Sequence, residues 1–271
     1  MLAILYLAVL LYFGDCLCRR FYRFSSARQR LATAFLVGLL FSSWITYLGA
    51  LAFAWTGHAL LLGNFVFAGV VALTARFLPR APASEYLATV LPRPPGEDRW
   101  DWLCLGAYFV FGCWLMLATL NYHDGNFEFG FKSWSDFGAN LSVAQSFVLG
   151  NNFPSEHPFF PGVMLRYHFL FWFQTANLSY LGLNLARSVN LLSVMSLMAL
   201  LSLLMTFAEL LFNSRVVGRI AAALFFFASS SLAYIPFLRA QESVVGALSA
   251  IAKGRNFSTP AIRIAAKTGA R

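Results

Sequence analysis

The sequence predicts an all-α polytopic membrane protein, a bundle of about seven transmembrane helices with an amphipathic interfacial helix in one long extracytoplasmic loop. Three observations predict it. First, 59% of the residues are hydrophobic and 11% charged, with a mean hydropathy of +0.66, whereas soluble domains carry roughly 25% charged residues. Second, the apolar residues fall into runs close to the roughly 17–25 residues that cross a bilayer as a helix. Third, the polar residues are gathered. Residues 121–168 hold three of the four histidines (His123, His157, His168) and four of the eleven acids (Asp124, Glu128, Asp136, Glu156).

The first run, Met1 to Leu17, contains only Asp15 as a charge, and its arginines (Arg19, Arg20, Arg23, Arg28, Arg30) follow it. A secretory signal places positive charge before the apolar stretch, so this run reads as a retained helix with its N-terminus outside. Leu31 to Trp55 and Ala59 to Phe77 are the next two spans, joined so briefly at Thr56-Gly57-His58 that they form a helical hairpin. Residues 76–99 are rich in proline and charge and read as a linker closing an N-terminal unit, 1–99. A membrane core follows over 100–238. Its spans are Trp102 to Leu120, Tyr167 to Leu183, Val189 to Phe212 and Val216 to Leu238, with Trp100 and Trp102 placed as an aromatic belt. The tail, 239–271, is polar and basic, lacks a packing pattern and reads as a truncated or frame-shifted end of a longer protein, ahead of a surface amphipathic segment.

Arginine and lysine set the orientation. The connections at 19–30, 76–99 and 184–188 carry ten of them, and those at 56–58, 121–166 and 213–219 carry four. The first set is therefore expected in the cytoplasm and the connection 121–166 outside it, with the protein integral to a bacterial inner membrane. The same bias accounts for the net charge of +9, so membrane lipids rather than nucleic acid are the expected partners. Cys16, Cys18, Cys104 and Cys113 lie in or at the ends of apolar runs without metal-ligand spacing, and read as small lipid-compatible residues.

Within the polar connection, Ser133 and Asp136 resemble a capping box. Phe137, Leu141, Ala144 and Val148 then recur at helical spacing, flanked by Val143 and Phe147, until Gly150 and Asn-Asn-Phe-Pro stop the helix. This is an amphipathic helix of about four turns, too short to span, with Asp136 at the end where the helix dipole favours a carboxylate. Pro154, Pro158 and Pro161 keep the following segment extended as it delivers Arg166, Tyr167 and His168 to the mouth of the next span.

This succession, SDFGANLSVAQSFVLGNNFP followed by RYHFLFWFQTANLSYLGLNLARSVNLLSVM and then NSRVVGRIAAALFFFASS, resembles the GT-C superfamily of membrane glycosyltransferases over roughly Trp100 to Leu238. The resemblance implies sugar transfer from a polyprenyl-phosphate donor, mannosyltransferase-like, to an acceptor hydroxyl. Asp136 then matches the family's catalytic acid, acting as base or helping to hold a divalent metal ion. Arg166, with Tyr167 and His168, stands where a lipid-linked sugar donor presents its phosphate, whose departure needs cationic stabilisation. Arg187 matches a recurrent arginine of the family, yet the charge count assigns it to the cytoplasmic side.

Plainer readings stand beside these. Asp136 is also a good helix N-cap. His123 and Asp124 are neighbours able to ligate a metal, or simply a solvated pair. Glu156 and His157 sit between prolines, as in a structural turn. Gln174 and Asn177 read as helix-joining polar residues, and Glu209 as a residue reaching the interface. The competing functional class is a non-enzymatic membrane protein, transporter-like or an assembly component. A transporter carries ionisable residues deep in its spans, and the span centres here are nearly free of them. An inactive fragment of the glycosyltransferase is the third class.

Overall fold

The computed structural model describes residues 2–78, 97–130 and 134–228, and beyond them the strand Ile262–Ala265 with a few single residues. In chain order the elements are α1 (Leu2–Phe21), α2 (Ala27–Ala52), α3 (Ala59–Phe77), α4 (Glu97–Thr119), β1 (Leu120–His123), β2 (Asn126–Phe129), α5 (Trp134–Leu149), β3 (Glu156–His157), β4 (Phe160–Met164), α6 (Leu170–Tyr180), α7 (Leu185–Phe212), α8 (Arg215–Ala228) and β5 (Ile262–Ala265). Helix dominates, as composition requires. Among the described residues five helices, α1 to α4 and α7, are long and apolar enough to cross a membrane. The protein is an integral membrane protein.

Two of the seven expected spans are not in this set. Residues 229–238 of the last lie outside the described residues, and its start is α8, 14 residues long. The expected span Tyr167–Leu183 holds only α6, 11 residues, or about 16 Å of helix against a hydrocarbon core of about 30 Å. The chain also adds strands that an all-α reading lacks. β1 and β2 pair antiparallel, His123 opposite Asn126, around Asp124 and Gly125, both at positive φ. Asp-Gly is the favoured pair for such a two-residue turn, whose twist matches that of the strands. β5 pairs with β2, placing part of the basic tail in a sheet.

The chain divides into two compact units. The first comprises Met1–Arg93 and Ser135–Leu200. Here α1 and α2 approach so closely that a Cβ at Gly14 would overlap the Ala34 carbonyl and one at Gly38 the Leu10 carbonyl. Small residues permit this approach, which is how helices gain packing energy where lipid is as apolar as the side chains. At one end of the pair Asp15 binds Arg19 at 2.8 Å and Arg30 at 3.5 Å. The Ser26 side chain caps α2 by accepting from the Gln29 amide at 3.1 Å.

α6 is ended by its own sequence. Leu183 N–H donates to the Leu178 carbonyl at 3.0 Å and Gly182 lies between them at φ 96°, the left-handed C-terminal cap that glycine adopts without steric cost. Two residues later Asn184 Oδ1 accepts from the Ala186 amide at 2.9 Å and starts α7 as an N-cap does. Both ends of α6 lie toward the same end of the first unit. Phe169, just before it, packs on Tyr47 with ring centroids 4.9 Å apart, and Leu181, just after it, accepts from the Ala3 amide at 3.2 Å. Tyr6 meets Thr46 at 3.2 Å, so Ala3 and Tyr47 stand at similar depth. α6 therefore enters the bundle and leaves it at one end, without crossing.

The second unit comprises Pro94–Trp134 and Leu201–Arg271. α4 buries a single narrow stripe, Asp101, Leu105, Tyr108 and Gly112, and leaves large apolar residues such as Leu103 and Val110 exposed. Tyr108 and Phe111 pack on Phe226 of α8, with centroids 5.0 and 5.4 Å apart.

Candidate functional site

The segment that carries most candidate residues is anchored to the first unit by side chains that the apolar pattern alone does not reveal. α5 buries Leu141, Val143, Ala144 and Phe147, a face centred one position from the expected stripe. Phe147 joins Phe153, Phe169, Phe173 and Tyr47 in one aromatic cluster, with neighbouring centroids 4.9–6.2 Å apart. Aromatic pairs at such separations add about 0.5–1.5 kcal/mol beyond their buried area. The cluster ties α5, the proline segment, α6 and α2 together.

Three polar residues complete the anchoring. Asn151 donates to the Ala54 and Thr56 carbonyls, each at 3.1 Å, at the tip of the α2–α3 hairpin. Asn152 donates to Ser146 Oγ at 2.9 Å and the Glu156 carbonyl at 2.8 Å, and accepts from the Glu156 amide at 2.8 Å. Tyr47 and Ser155, both buried, share a hydrogen bond of 2.9 Å. Phe153-Pro154 is a cis peptide.

Onto this frame the chain places its candidate groups. Asp136 lies in the first turn of α5 and is exposed. Arg166, Tyr167 and His168 are exposed on the approach to α6, with the Tyr167 and His168 rings 3.7 Å apart. Among the described residues neither Asp136 nor Arg166 forms an ion pair. Arg187, in the first turn of α7, is exposed as well. Because α6 does not cross, it belongs to the same end of the first unit as α5 and Arg166.

Glu156 and His157 serve a turn. Glu156 Oε2 accepts from the Gly162 amide at 3.0 Å, and His157 Nδ1 from the Phe159 amide at 3.3 Å, closing the β3–β4 hairpin. His123 and Asp124 lie in the second unit at the β1–β2 turn, 3.2 Å apart and mostly exposed. Among the described residues there is no group of three His, Cys, Asp or Glu side chains placed to hold a metal ion.

Two groups of buried polar residues differ in kind. In the first unit Asn64 and Asn177 exchange two hydrogen bonds, 2.7 and 3.1 Å, and Ser43 meets Gln174 at 3.3 Å. These are the helix-joining contacts expected of polar residues within spans. In the second unit Asp101 pairs with Arg215 and Arg219, and Glu209 with Arg215, each at 3.7 Å. Glu209 is 4% exposed, its carboxylate facing Arg215 rather than solvent. Arg215 and Arg219 lie too far along the chain from Asp101 for local spacing to show the pairing. The available signal was chemical: charges within spans pair with one another.

The class these features define is a polytopic helical membrane protein with an anchored, solvent-open polar segment. No protein-family model matches the chain, and neither does any curated protein or solved structure.

Proposed function

We propose that the protein is a membrane glycosyltransferase of GT-C type, moving a sugar from a lipid-phosphate donor to an acceptor hydroxyl on the extracytoplasmic face. The observation that carries this is Asp136: an exposed carboxylate in the first turn of a short amphipathic helix, α5, whose other face is fixed to the bundle. It occupies the place in the order of elements that the resemblance gives to the catalytic acid. Phe137 stands where that family carries a second acid, so the base role falls on Asp136 alone.

The chemistry balances with the chain's own groups. The acceptor oxygen attacks the anomeric carbon and forms the new C–O bond, and Asp136 takes the acceptor's proton. The bond from the anomeric carbon to the phosphate oxygen breaks, and the lipid phosphate leaves with the electron pair, met by guanidinium charge. Arg166 is one source of that charge. Arg187 is the second, because a non-crossing α6 leaves it at the same end as α5 and Arg166. No step is routed through a metal.

Sidedness draws support from the same feature. With α6 not crossing, the connection at 213–219 joins 19–30 and 76–99, and 184–188 joins 56–58 and 121–166. The basic residues then divide eleven against three rather than ten against four. Arg215 and Arg219 no longer run against the positive-inside bias. α5 lies in the plane of the outer interface, as a short amphipathic helix does.

The test is sugar transfer in membranes carrying the full chain, supplied with polyprenyl-phosphate sugars and read by mass spectrometry of the products. Asp136→Asn is expected to lower the rate about 10²–10⁴-fold, the usual contribution of a general base, with unchanged amounts of inserted protein. Undiminished transfer by that variant removes Asp136 from the reaction. Absence of transfer from every donor by the unaltered chain removes the activity.

A further inference from the structure

The end of the first unit away from α5 carries a feature that the proposed sugar transfer does not use. Asn151 marks the α5 end, at the tip of the α2–α3 hairpin. α2 is 26 residues long, about 39 Å of helix, so the α1–α2 turn lies at the other end. That turn reads Arg20-Phe21-Tyr22-Arg23-Phe24, and it is held in place. Phe24 is buried, Ser26 Oγ accepts from the Gln29 amide, and Gln29 Oε1 accepts from the Ser25 amide at 2.8 Å. The residues before Phe24 are thereby presented outward. Phe21 and Tyr22 are 72% and 58% exposed, and Arg20 and Arg23 are exposed with them.

The last turn of α3 arrives at the same level. α1 and α3 run in one direction, each joined to α2 by a short reversal, and Phe67 packs on Tyr6 and Phe13 with ring centroids 5.2 and 5.6 Å apart. Phe67 is therefore level with Leu10, which lies between those two. About ten residues further along each helix, roughly 15 Å, stand Phe77 and Arg20. Arg76 and Phe77 are both exposed, the guanidinium 5.7 Å from the ring. Three arginines and three large rings thus share one end of the α1–α3 pair. Acids do not cancel the charge. Asp15 is the one acid within residues 2–78, and it is taken up by Arg19 at 2.8 Å and Arg30 at 3.5 Å. Over the whole stretch from Asp15 to Asp101, with Glu85, Glu97 and Asp98 counted, nine arginines stand against five acids. The excess stays positive.

We propose that this end of the first unit binds anionic phospholipids, with Arg20, Arg23 and Arg76 on the phosphates and Phe21, Tyr22 and Phe77 among the first acyl carbons. Position and chemistry together select that occupant. The residues stand at the ends of membrane-length helices, where head groups lie, and aromatic rings at that level sit in the interface. Guanidinium groups pair well with phosphate oxygens, and basic clusters beside a membrane helix attract acidic lipid. A soluble anion would leave the three rings in water. A zwitterionic head group brings its own cation and leaves the arginine excess uncompensated. The site is independent of the proposed transfer reaction, whose residues lie at the opposite end of the unit.

The experiment uses the full chain with Tyr22 replaced by the photo-crosslinking residue benzoylphenylalanine, in nanodiscs of phosphatidylglycerol and phosphatidylcholine at equal mole fraction. Mass spectrometry of the lipid adducts at position 22 reads the local ratio of the two. That ratio is expected to favour phosphatidylglycerol by roughly five-fold or more, about five-fold being the effect of one arginine at a membrane surface. Arg76→Gln, on a different helix from the crosslinker, is expected to lower it several-fold. Combining it with Arg20→Gln and Arg23→Gln is expected to bring the ratio close to one. All three side chains are exposed and lie outside the Asp15 ion pairs, so the inserted amounts are expected to be unchanged. Arg263→Gln, in β5 of the second unit, removes one charge elsewhere and is expected to leave the ratio as it was. Equal adducts of both lipids with all arginines present overturn the proposal, as does a preference that survives loss of the three. A fall with Arg263→Gln as large as that with Arg76→Gln assigns the preference to overall charge, and overturns the site as well.

Discussion

Two regions of the molecule, α6 in the first unit and the start of α4 in the second, bury polar groups in opposite ways. In the first, α6 brings neutral amides and hydroxyls into the bundle, and each meets another neutral group: Asn177 meets Asn64, Gln174 meets Ser43, and Tyr6 meets Thr46. In the second, the buried groups are ionised, and they come as a set whose charges cancel: Asp101, Glu209, Arg215 and Arg219. The difference follows from what hydrocarbon penalises. A neutral amide needs one partner and contributes modestly when it finds one. An isolated charge carries a desolvation cost of several kcal/mol, so it persists only among countercharges. The neutral set lets a short helix rest at partial depth in the first unit. The charged set fastens the start of α4 to the end of α7 and the start of α8.

The sharpest way to break this comparison is to ask whether α6 really stops at partial depth, and the effect is all or none. Arg187→Cys and Phe212→Cys stand near the two ends of α7, and both positions are exposed. In right-side-out vesicles an impermeant thiol reagent is expected to label Arg187→Cys and Ser142→Cys from the same side, and Phe212→Cys from the other. Labelling of Arg187→Cys from the side opposite Ser142→Cys means that α6 crosses, and its amides then sit in a complete span.

The long spans were legible because hydrophobic runs of membrane length report themselves, and α5 was legible through its 3.6-residue period and its Gly150 stop. Asp136 was legible as a first-turn acid. The depth of α6 was not, because Tyr167–Leu183 has the composition of a span. What shortens it is the polar RYH before it and the caps at Gly182 and Asn184, which set length rather than apolarity. The β1–β2 hairpin was written in Asp124-Gly125, a local turn signal outweighed by the helical character of the rest. The pairing of Asp101 with Arg215 had no local signal, since it joins residues more than a hundred positions apart. The solvent-open placement of Asp136 and Arg166 also depends on tertiary anchoring by Asn151, Asn152 and Tyr47, which no spacing rule describes.

Removing one member of the charged set is expected to give the largest loss of stability. Asp101→Leu withdraws the acid that Arg215 and Arg219 share and leaves their charges buried with less compensation, a change that costs about 3–5 kcal/mol in comparable pairs. Cys104, less than one turn further along α4 and partly buried, supplies a second readout. Its reactivity toward a thiol reagent in detergent is expected to rise together with the fall in thermal midpoint. Replacing Asp101 and Arg215 together by apolar residues, Asp101→Leu with Arg215→Met, is expected to recover part of the loss. If Asp101→Leu is neutral, the set is not what fastens α4 to α8, and the contrast with α6 loses one side.

The neutral set predicts a smaller number and a different signature. Asn64→Ala and Asn177→Ala each remove both of the hydrogen bonds that join α3 to α6, and the amide left behind finds partners in the alternative states as well. Each change is therefore expected to cost about 0.6–2 kcal/mol, and their coupling in a double-mutant cycle to fall in the same range. The cycle is informative because the two residues touch each other directly, at 2.7 and 3.1 Å, so any coupling is theirs. A coupling near zero leaves the hold on α6 to the aromatic cluster around Phe147 and Tyr47 together with the Ser43–Gln174 and Ala3–Leu181 hydrogen bonds. A coupling above about 3 kcal/mol, the scale of broken buried ion pairs, erases the difference between the neutral burial at α6 and the charged burial at the start of α4.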